Sequence, residues 1–192
     1  MTRTALFLCT AVALVAGPAL AQNHSAHSAA PASAAAAAGG QMVHADSIDA
    51  TGKKMGTVMV QDTPHGVLVT TDIKGVPAGE HGFHFHEKGM CEPAQKFTTA
   101  GGHFTAGKGQ HGLMVPAGPH GGDMPNAVVG TDGMLKGQVL NTGVTLKPGA
   151  KSLMDADGSA LVIHAKPDDY KSQPSGDAGD RIVCAVIAAP KK

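Results

Sequence analysis

Tryptophan is absent from this chain of 192 residues, tyrosine occurs once, and aromatic residues make up only 3%. A core must therefore be built from Val, Leu, Ile, Ala and Met. Charge is scarce too. Only 16% of residues are charged, 15 Lys and Arg balance 15 Asp and Glu, and no Lys/Arg run occurs. That balance excludes a nucleic-acid partner held through phosphate contacts. The apolar stretch from Ala5 to Ala16 is about a dozen residues, short of the roughly 20 that span a bilayer, so no membrane anchor is expected. Cysteine occurs three times. What the chain does have is 26 glycines and 11 histidines. The length allows one domain with short additions. Abundant glycine beside so few charges points to turns and short strands, not to long surface helices. Histidine is the commonest metal ligand, and its placement needs an explanation.

Residues 1–21 have the form of a secretory signal peptide: Arg3, then the apolar stretch, then Ala19-Leu20-Ala21 as a small-x-small cleavage site. The mature chain is expected to begin at Gln22, in the periplasm. Cleavage removes Arg3 and Cys9, leaving 14 basic side chains against 15 acidic and two cysteines, Cys91 and Cys184. Two cysteines in an exported chain are most simply a disulfide. Closing so long a loop is worth about 4–5 kcal/mol in the chain-entropy picture. Residues 22–41, with His24 and His27 followed by Ala, Ser, Pro and Gly, read as a flexible linker. The folded domain is expected over 42–192.

From Met42 onward, short apolar alternations are cut by turn residues. Strand patterns cover 43–48, 57–60, 67–73, 82–86, 127–130, 135–140, 160–164 and 182–187. Thr131-Asp132-Gly133 and Asp157-Gly158 have hairpin-type turn chemistry. The expected class is all-β, an eight-stranded antiparallel Greek-key barrel or sandwich. Residues 87–126 resist this pattern. A loop of that length needs something to organise it, and it contains Cys91, His103, His111, His120 and Asp123. A second long loop, about 166–180, precedes the last strand.

His84-Phe85-His86 ends a strand, so both imidazoles share one face, with Cα atoms about 6.5–7 Å apart. His103, His111, His120 and Asp123 offer three imidazoles and a carboxylate, a tetrahedral set for zinc. His164, at the end of a distant strand, can join His84 and His86, and Cu(II) favours such nitrogen ligands. The spacing predicts two metal sites.

Gly82-Phe83-His84-Phe85-His86-Glu87, Gly101-Gly102-His103-Phe104, His111-Gly112, Gly118-Pro119-His120-Gly121-Gly122-Asp123, Val162-Ile163-His164 and the run Gly176 to Cys184 together resemble copper/zinc superoxide dismutase, in its exported bacterial form. The resemblance covers roughly residues 42–189. It implies copper on His84, His86, His103 and His164, and zinc on His103, His111, His120 and Asp123, one ion of each per chain, with His103 shared. It implies that Asp168 holds one ligand of each metal, as partners behind metal ligands do. Arg181 would dock the anion, and Cys91 and Cys184 would form the family's disulfide. Three positions depart from the family pattern: Thr105-Ala106 follows the bridging histidine in place of Asn-Pro, Ala185 replaces a glycine, and Asp180 adjoins Arg181.

The chemistry so implied is dismutation of superoxide to dioxygen and hydrogen peroxide, with copper alternating between its two oxidation states and His103 carrying a proton. Arg181 and His103 would be the catalytic residues. Lys88, Lys96, Lys108 and Lys171 are candidates for a steering field, which is local and independent of net charge. The chain would work as a monomer or homodimer. A periplasmic copper or zinc carrier on the same fold is the alternative, but a carrier has no use for Arg181. A cupin is disfavoured because Met90 and Cys91 stand where its glutamate would fall.

Overall fold

The computed structural model describes residues 40–107 and 109–191. The expected signal segment, nearly all of the expected linker, and Lys108 lie outside the described residues.

Nine strands form among the described residues: β1 (Met42–Asp49), β2 (Lys54–Thr63), β3 (Gly66–Lys74), β4 (Gly79–His81), β5 (Phe83–His86), β6 (Ala127–Val129), β7 (Met134–Asn141), β8 (Ser159–His164) and β9 (Arg181–Ala188). The only helical elements among the described residues are single 3-10 turns at Pro93–Gln95 and Thr98–Ala100. The ladders between strands are all antiparallel, and seven strands run in the order β5-β8-β9-β1-β2-β3-β7. The two edges of this curled sheet, β5 and β7, are linked by a two-stranded ladder of β4 with β6. β4 runs into β5 through Gly82, and β6 runs into β7 through the turn at Gly130–Gly133. The chain skips from β3 to β4, and from β7 to β8, past intervening strands, which is Greek-key connectivity.

The eight expected runs are all strands, and β4 is an additional one. Three residues are too few for an alternation to show. Gly82 makes the corner: its N–H donates to Lys166 O and its carbonyl accepts from His164 N, both at 2.8 Å. A Cβ there would lie 2.7 Å from that of Ala178, closer than two carbons can sit. Thr131-Asp132-Gly133 turns the chain between β6 and β7, with Asp132 accepting from Met134 N at 3.0 Å, but it joins strands that pair elsewhere, β6 with β4 and β7 with β3, and so closes no hairpin. Asp157-Gly158 differs from expectation. It is a corner leading into β8, whose ladder partners are β5 and β9, and it closes no hairpin.

Alternation fills the interior. Val58 and Val60 of β2, Val67, Val69 and Ile73 of β3, and Leu161 and Ile163 of β8 are all essentially inaccessible. The core also draws on phenylalanine more than composition suggests. Four of the five phenylalanines, Phe83, Phe85, Phe97 and Phe104, are buried, each worth roughly 1.5–3 kcal/mol in transfer terms. β8 is buried on both faces. Leu161 and Ile163 join the main core, while Ala160 and Val162 meet Phe97, Ala100 and Cys184 in a second cluster. That second cluster anchors the 87–101 segment to the sheet. The Cys91–Cys184 disulfide, across a sequence separation of 93, fastens it covalently.

Candidate metal centre

β5 carries Phe83 and Phe85 into the core and turns His84 and His86 the other way, onto the face that the long loop covers. The loop adds itself to the free edge of β5. Phe85 N–H donates to Gly122 O at 3.0 Å and Phe85 O accepts from Phe104 N at 2.8 Å. Isolated bridges set His84 beside Asp123 and His86 beside His103. Thus an edge that would otherwise be unpaired is the device that delivers loop ligands to strand ligands. β8 pairs with β5 on its other side and ends in His164.

Two sets of four side chains result: His84, His86, His103 and His164, and His103, His111, His120 and Asp123. Within each set the candidate ligand atoms lie within 4.8 Å of one another, and every member is buried. His103 belongs to both. All the ligand residues expected from the sequence are therefore brought together, in the groups expected.

The hydrogen bonds decide which nitrogen of each ring is free. A backbone carbonyl can only accept, so His86 Nδ1 carries its proton toward Gly101 O (3.0 Å) and His164 Nδ1 toward Gly179 O (3.1 Å). His84 donates from Nε2 to Asp168 Oδ2 at 2.8 Å. This leaves His84 Nδ1, His86 Nε2, His164 Nε2 and His103 Nε2 buried with no protein partner. Four buried nitrogen lone pairs converging on one point are costly without an occupant. They fit an ion that takes imidazole ligands. On the other side, Asp123 Oδ1 lies 2.9, 3.1 and 3.7 Å from the Nδ1 atoms of His103, His111 and His120. Asp123 Oδ2 accepts from Gly112 N (2.9 Å) and His120 N (3.0 Å), which fixes the carboxylate. Three imidazoles and a carboxylate fit zinc.

The electrostatics of the two sets differ. Burial, with the neighbouring His103 adding to it, pulls His84 down to about 4, the bond to Asp168 offsetting only part. Burial and the charge of His84 bring His164 to about 3, and burial pushes His86 well below the ordinary imidazole range. These rings are neutral and ready to ligate. Burial also opposes charge on His111, but its bonds to Asp123 and Asp168 prevail and raise it to about 9. Burial works against the charge of Asp123 and Asp168 as well. Hydrogen bonds from His103 and His111 to the former, and from His111 and His84 to the latter, hold both carboxyls well below the usual range.

Asp168 spans the two sets, with Oδ2 on His84 and Oδ1 on His111 Nε2 at 3.0 Å. Gly176 packs against it at φ +69°, where a Cβ would overlap Asp168 Oδ1. Arg181, half-buried at the start of β9 opposite His164, donates from Nη1 to Phe97 O and from Nη2 to Gly101 O at 2.7 and 2.6 Å. Lys88, Lys96 and Lys171 are exposed. Ala106 sits at φ +51° in the turn where the sequence departs from the family pattern, and Ala185 is buried in the core.

Several residues that sequence reasoning passed over hold this geometry. The Gln173 amide clasps the backbone of His111, accepting from its N–H at 3.0 Å and donating to its carbonyl at 2.8 Å. Asn126 does the same for Asp168, at 2.8 and 3.0 Å. Asn141 donates to Gly121 O and Asp123 O and accepts from Gly143 N. Buried His81 places its ring nitrogens against His164 O (2.7 Å) and Pro77 O (2.8 Å). Single amides in loops carry no periodicity, so nothing in the sequence marks them.

The sequence model of the family described as copper/zinc superoxide dismutase (SODC) matches residues 54–187. The chain is 49% identical over 146 residues to a superoxide dismutase [Cu-Zn] of Aquifex aeolicus, covering 75% of this chain and 85% of that one. It is 45% identical over 139 residues to the superoxide dismutase [Cu-Zn] of Caulobacter vibrioides, covering 71% and 79%. A crystal structure of a SOD-like protein from Bacillus subtilis superimposes with a TM-score of 0.72 at 35% identity, over 75% of this chain and 97% of that one.

Proposed function

The chain belongs to the copper/zinc superoxide dismutase family and catalyses the dismutation of superoxide to dioxygen and hydrogen peroxide, and from that premise we propose how its residues divide the work. His84, His86, His103 and His164 hold copper. His103, His111, His120 and Asp123 hold zinc, with one ion of each per chain. Bound copper supplies the one-electron exchange with superoxide, and bound zinc supplies a fixed, redox-silent charge. The observation that carries this reading is His103, whose two ring nitrogens fall in two separate buried ligand sets.

His103 Nε2 is the atom that holds a proton and passes it to the departing peroxide, the second proton coming from water. The opposite nitrogen belongs to the set with His111, His120 and Asp123, so the ring would return to one position after each turnover. Arg181 docks superoxide. Two carbonyls fix its guanidinium, and of its five N–H groups those not spent on Phe97 and Gly101 remain for an anion. Asp168 aligns His84 and His111, one from each set.

The mature chain works in the periplasm, a reading supported by the signal-like residues 1–21 and by the Cys91–Cys184 disulfide. Among the described residues, no helix is long and apolar enough to cross a membrane. Every ligand comes from a single chain, so the site is complete in a monomer.

Metal analysis joined to a superoxide assay on the Gln22–Lys192 protein tests this reading. One copper and one zinc per chain with rapid superoxide loss is expected, and a fully metallated, oxidised sample without activity overturns it. Arg181→Ala separates an enzyme from a carrier. The dismutase should lose roughly 10- to 10³-fold in rate along with its salt dependence, at unchanged metal content. A carrier would be indifferent.

A further inference from the structure

Outside that centre, among the described residues, Met42, His44 and Met59 bring together ligand chemistry that the mechanism does not use. β1 and β2 are half-buried strands, and their outward residues are Met42, His44 and Asp46 on one and Thr57, Met59 and Gln61 on the other. The register sets His44 directly opposite Met59 and Met42 opposite Gln61. Met42 and Met59 are thus diagonal neighbours on one face, flanking the same imidazole. Long side chains at diagonal positions reach each other. Met42 Sδ already lies 3.2 Å from His44 Nε2. Two ligands at about 2.0–2.3 Å from a common ion are that far apart when they subtend an angle of roughly 95°.

The surroundings select among ions. Two thioethers and one imidazole are soft, neutral donors, which suit a monovalent d¹⁰ ion and give a hard divalent cation nothing. The carboxylate of the same face, Asp46, is engaged by Lys54 at 2.7 Å, leaving no free anion beside the sulfurs. Met42 is 44% exposed and His44 is exposed, so an ion arrives without the fold opening. An outward methionine beside an outward histidine gains nothing by burial.

We propose that Met42, His44 and Met59 form a surface site for Cu(I), separate from the buried centre. The ion binds through Met42 Sδ, His44 Nε2 and Met59 Sδ, with no change in its oxidation state. The chain then carries its redox metal in two forms, one built into the centre and one held loosely on the outer sheet.

The test uses Ag(I), a redox-inert stand-in for Cu(I), added in chloride-free buffer to copper- and zinc-loaded protein whose methionine ε-methyl groups are ¹³C-labelled. The Met42 and Met59 methyl resonances should shift together and saturate at the same added equivalent, while those of exposed Met90 and Met114 stay in place. The Met42→Leu/Met59→Leu variant should take up one Ag(I) fewer per chain in a competition titration, and His44→Gln should weaken uptake at that same step. Both variants should keep wild-type activity and thermal stability. The proposal fails if neither methyl moves, if only one does, if all four methyls move alike, or if the double variant takes up as much Ag(I) as the wild type.

Discussion

His84, His86 and His164 stand on paired strands, and each spends its second nitrogen on a fixed acceptor, so that the free nitrogens are aimed before any ion arrives. His111, His120 and Asp123 stand on a loop with no ladder of its own. There the aim comes from charge, with one carboxylate drawing the Nδ1 atoms of three imidazoles toward it. A strand-held set is preorganised by backbone, and a loop-held set by a buried anion. The difference teaches that the first should tolerate loss of its ion and the second should slacken. Two residues couple them through their side chains: His103, which belongs to both, and Asp168, which hydrogen-bonds one member of each.

Removing a coupling point breaks the comparison most severely. His103→Ala deletes a ligand from both sets together with the proton carrier. The expected loss of activity is roughly 10²- to 10⁴-fold from proton transfer alone, and metal analysis should show both ions reduced. Asp168→Asn keeps the shape but weakens the bond to His111. Affinity for both metals should fall by about 10- to 100-fold, and competition titrations should show the larger fall for zinc, because no strand ladder holds the loop ligands.

The metal-free protein should lose stability toward both acid and alkali, the acid side through the buried strand-held imidazoles and the low carboxyls of Asp123 and Asp168, the alkaline side through His111. His84 and His164 titrate at about 4 and about 3, below their unfolded value of 6.5. The unfolded chain therefore binds more protons as pH falls below 6.5, and the strand-held set makes the fold less stable toward acid. His111 titrates at about 9, above 6.5. Its stabilisation is complete below 6.5 and is lost as pH rises through 9. Thermal melts of chelator-treated protein should fall off in both windows, and His111→Asn should flatten the alkaline arm. A flat profile would contradict the assignment. The smallest effect belongs to Gln173→Ala, which removes both hydrogen bonds to the His111 backbone, each worth about 0.5–1.5 kcal/mol. Zinc should bind more weakly and copper as before.

The strand-held set was the more legible of the two in the sequence. His84-Phe85-His86 sits in an alternating run, so period two alone put both imidazoles on one face, and His164 closes another such run. The loop ligands were visible as residue types, yet their convergence depended on pairing between Phe85 and residues 104 and 122, which no local pattern encodes. Asp168 and Arg181 emerged through family resemblance, because a lone loop acid and a strand-end arginine look ordinary. Gln173, Asn126, Asn141 and His81 were silent. Each acts on a backbone group far away in the chain, at separations of 62, 42, 20 and 83 residues. The scarcity of aromatic residues misled in one respect, since nearly all the phenylalanine present went into the interior.

β8 has a consequence for how this protein can vary. Most strands of an antiparallel sheet leave every second position open to drift, because one face looks outward. The six residues from Ser159 to His164 are buried on both sides, with the main core on one face and the cluster beneath the disulfide on the other. A saturation library across β8 should therefore show an unbroken block of intolerance, where β1 or β2 would show a comb. Lineages can remodel the loops on either side, but this strand leaves them no silent register in which to wander.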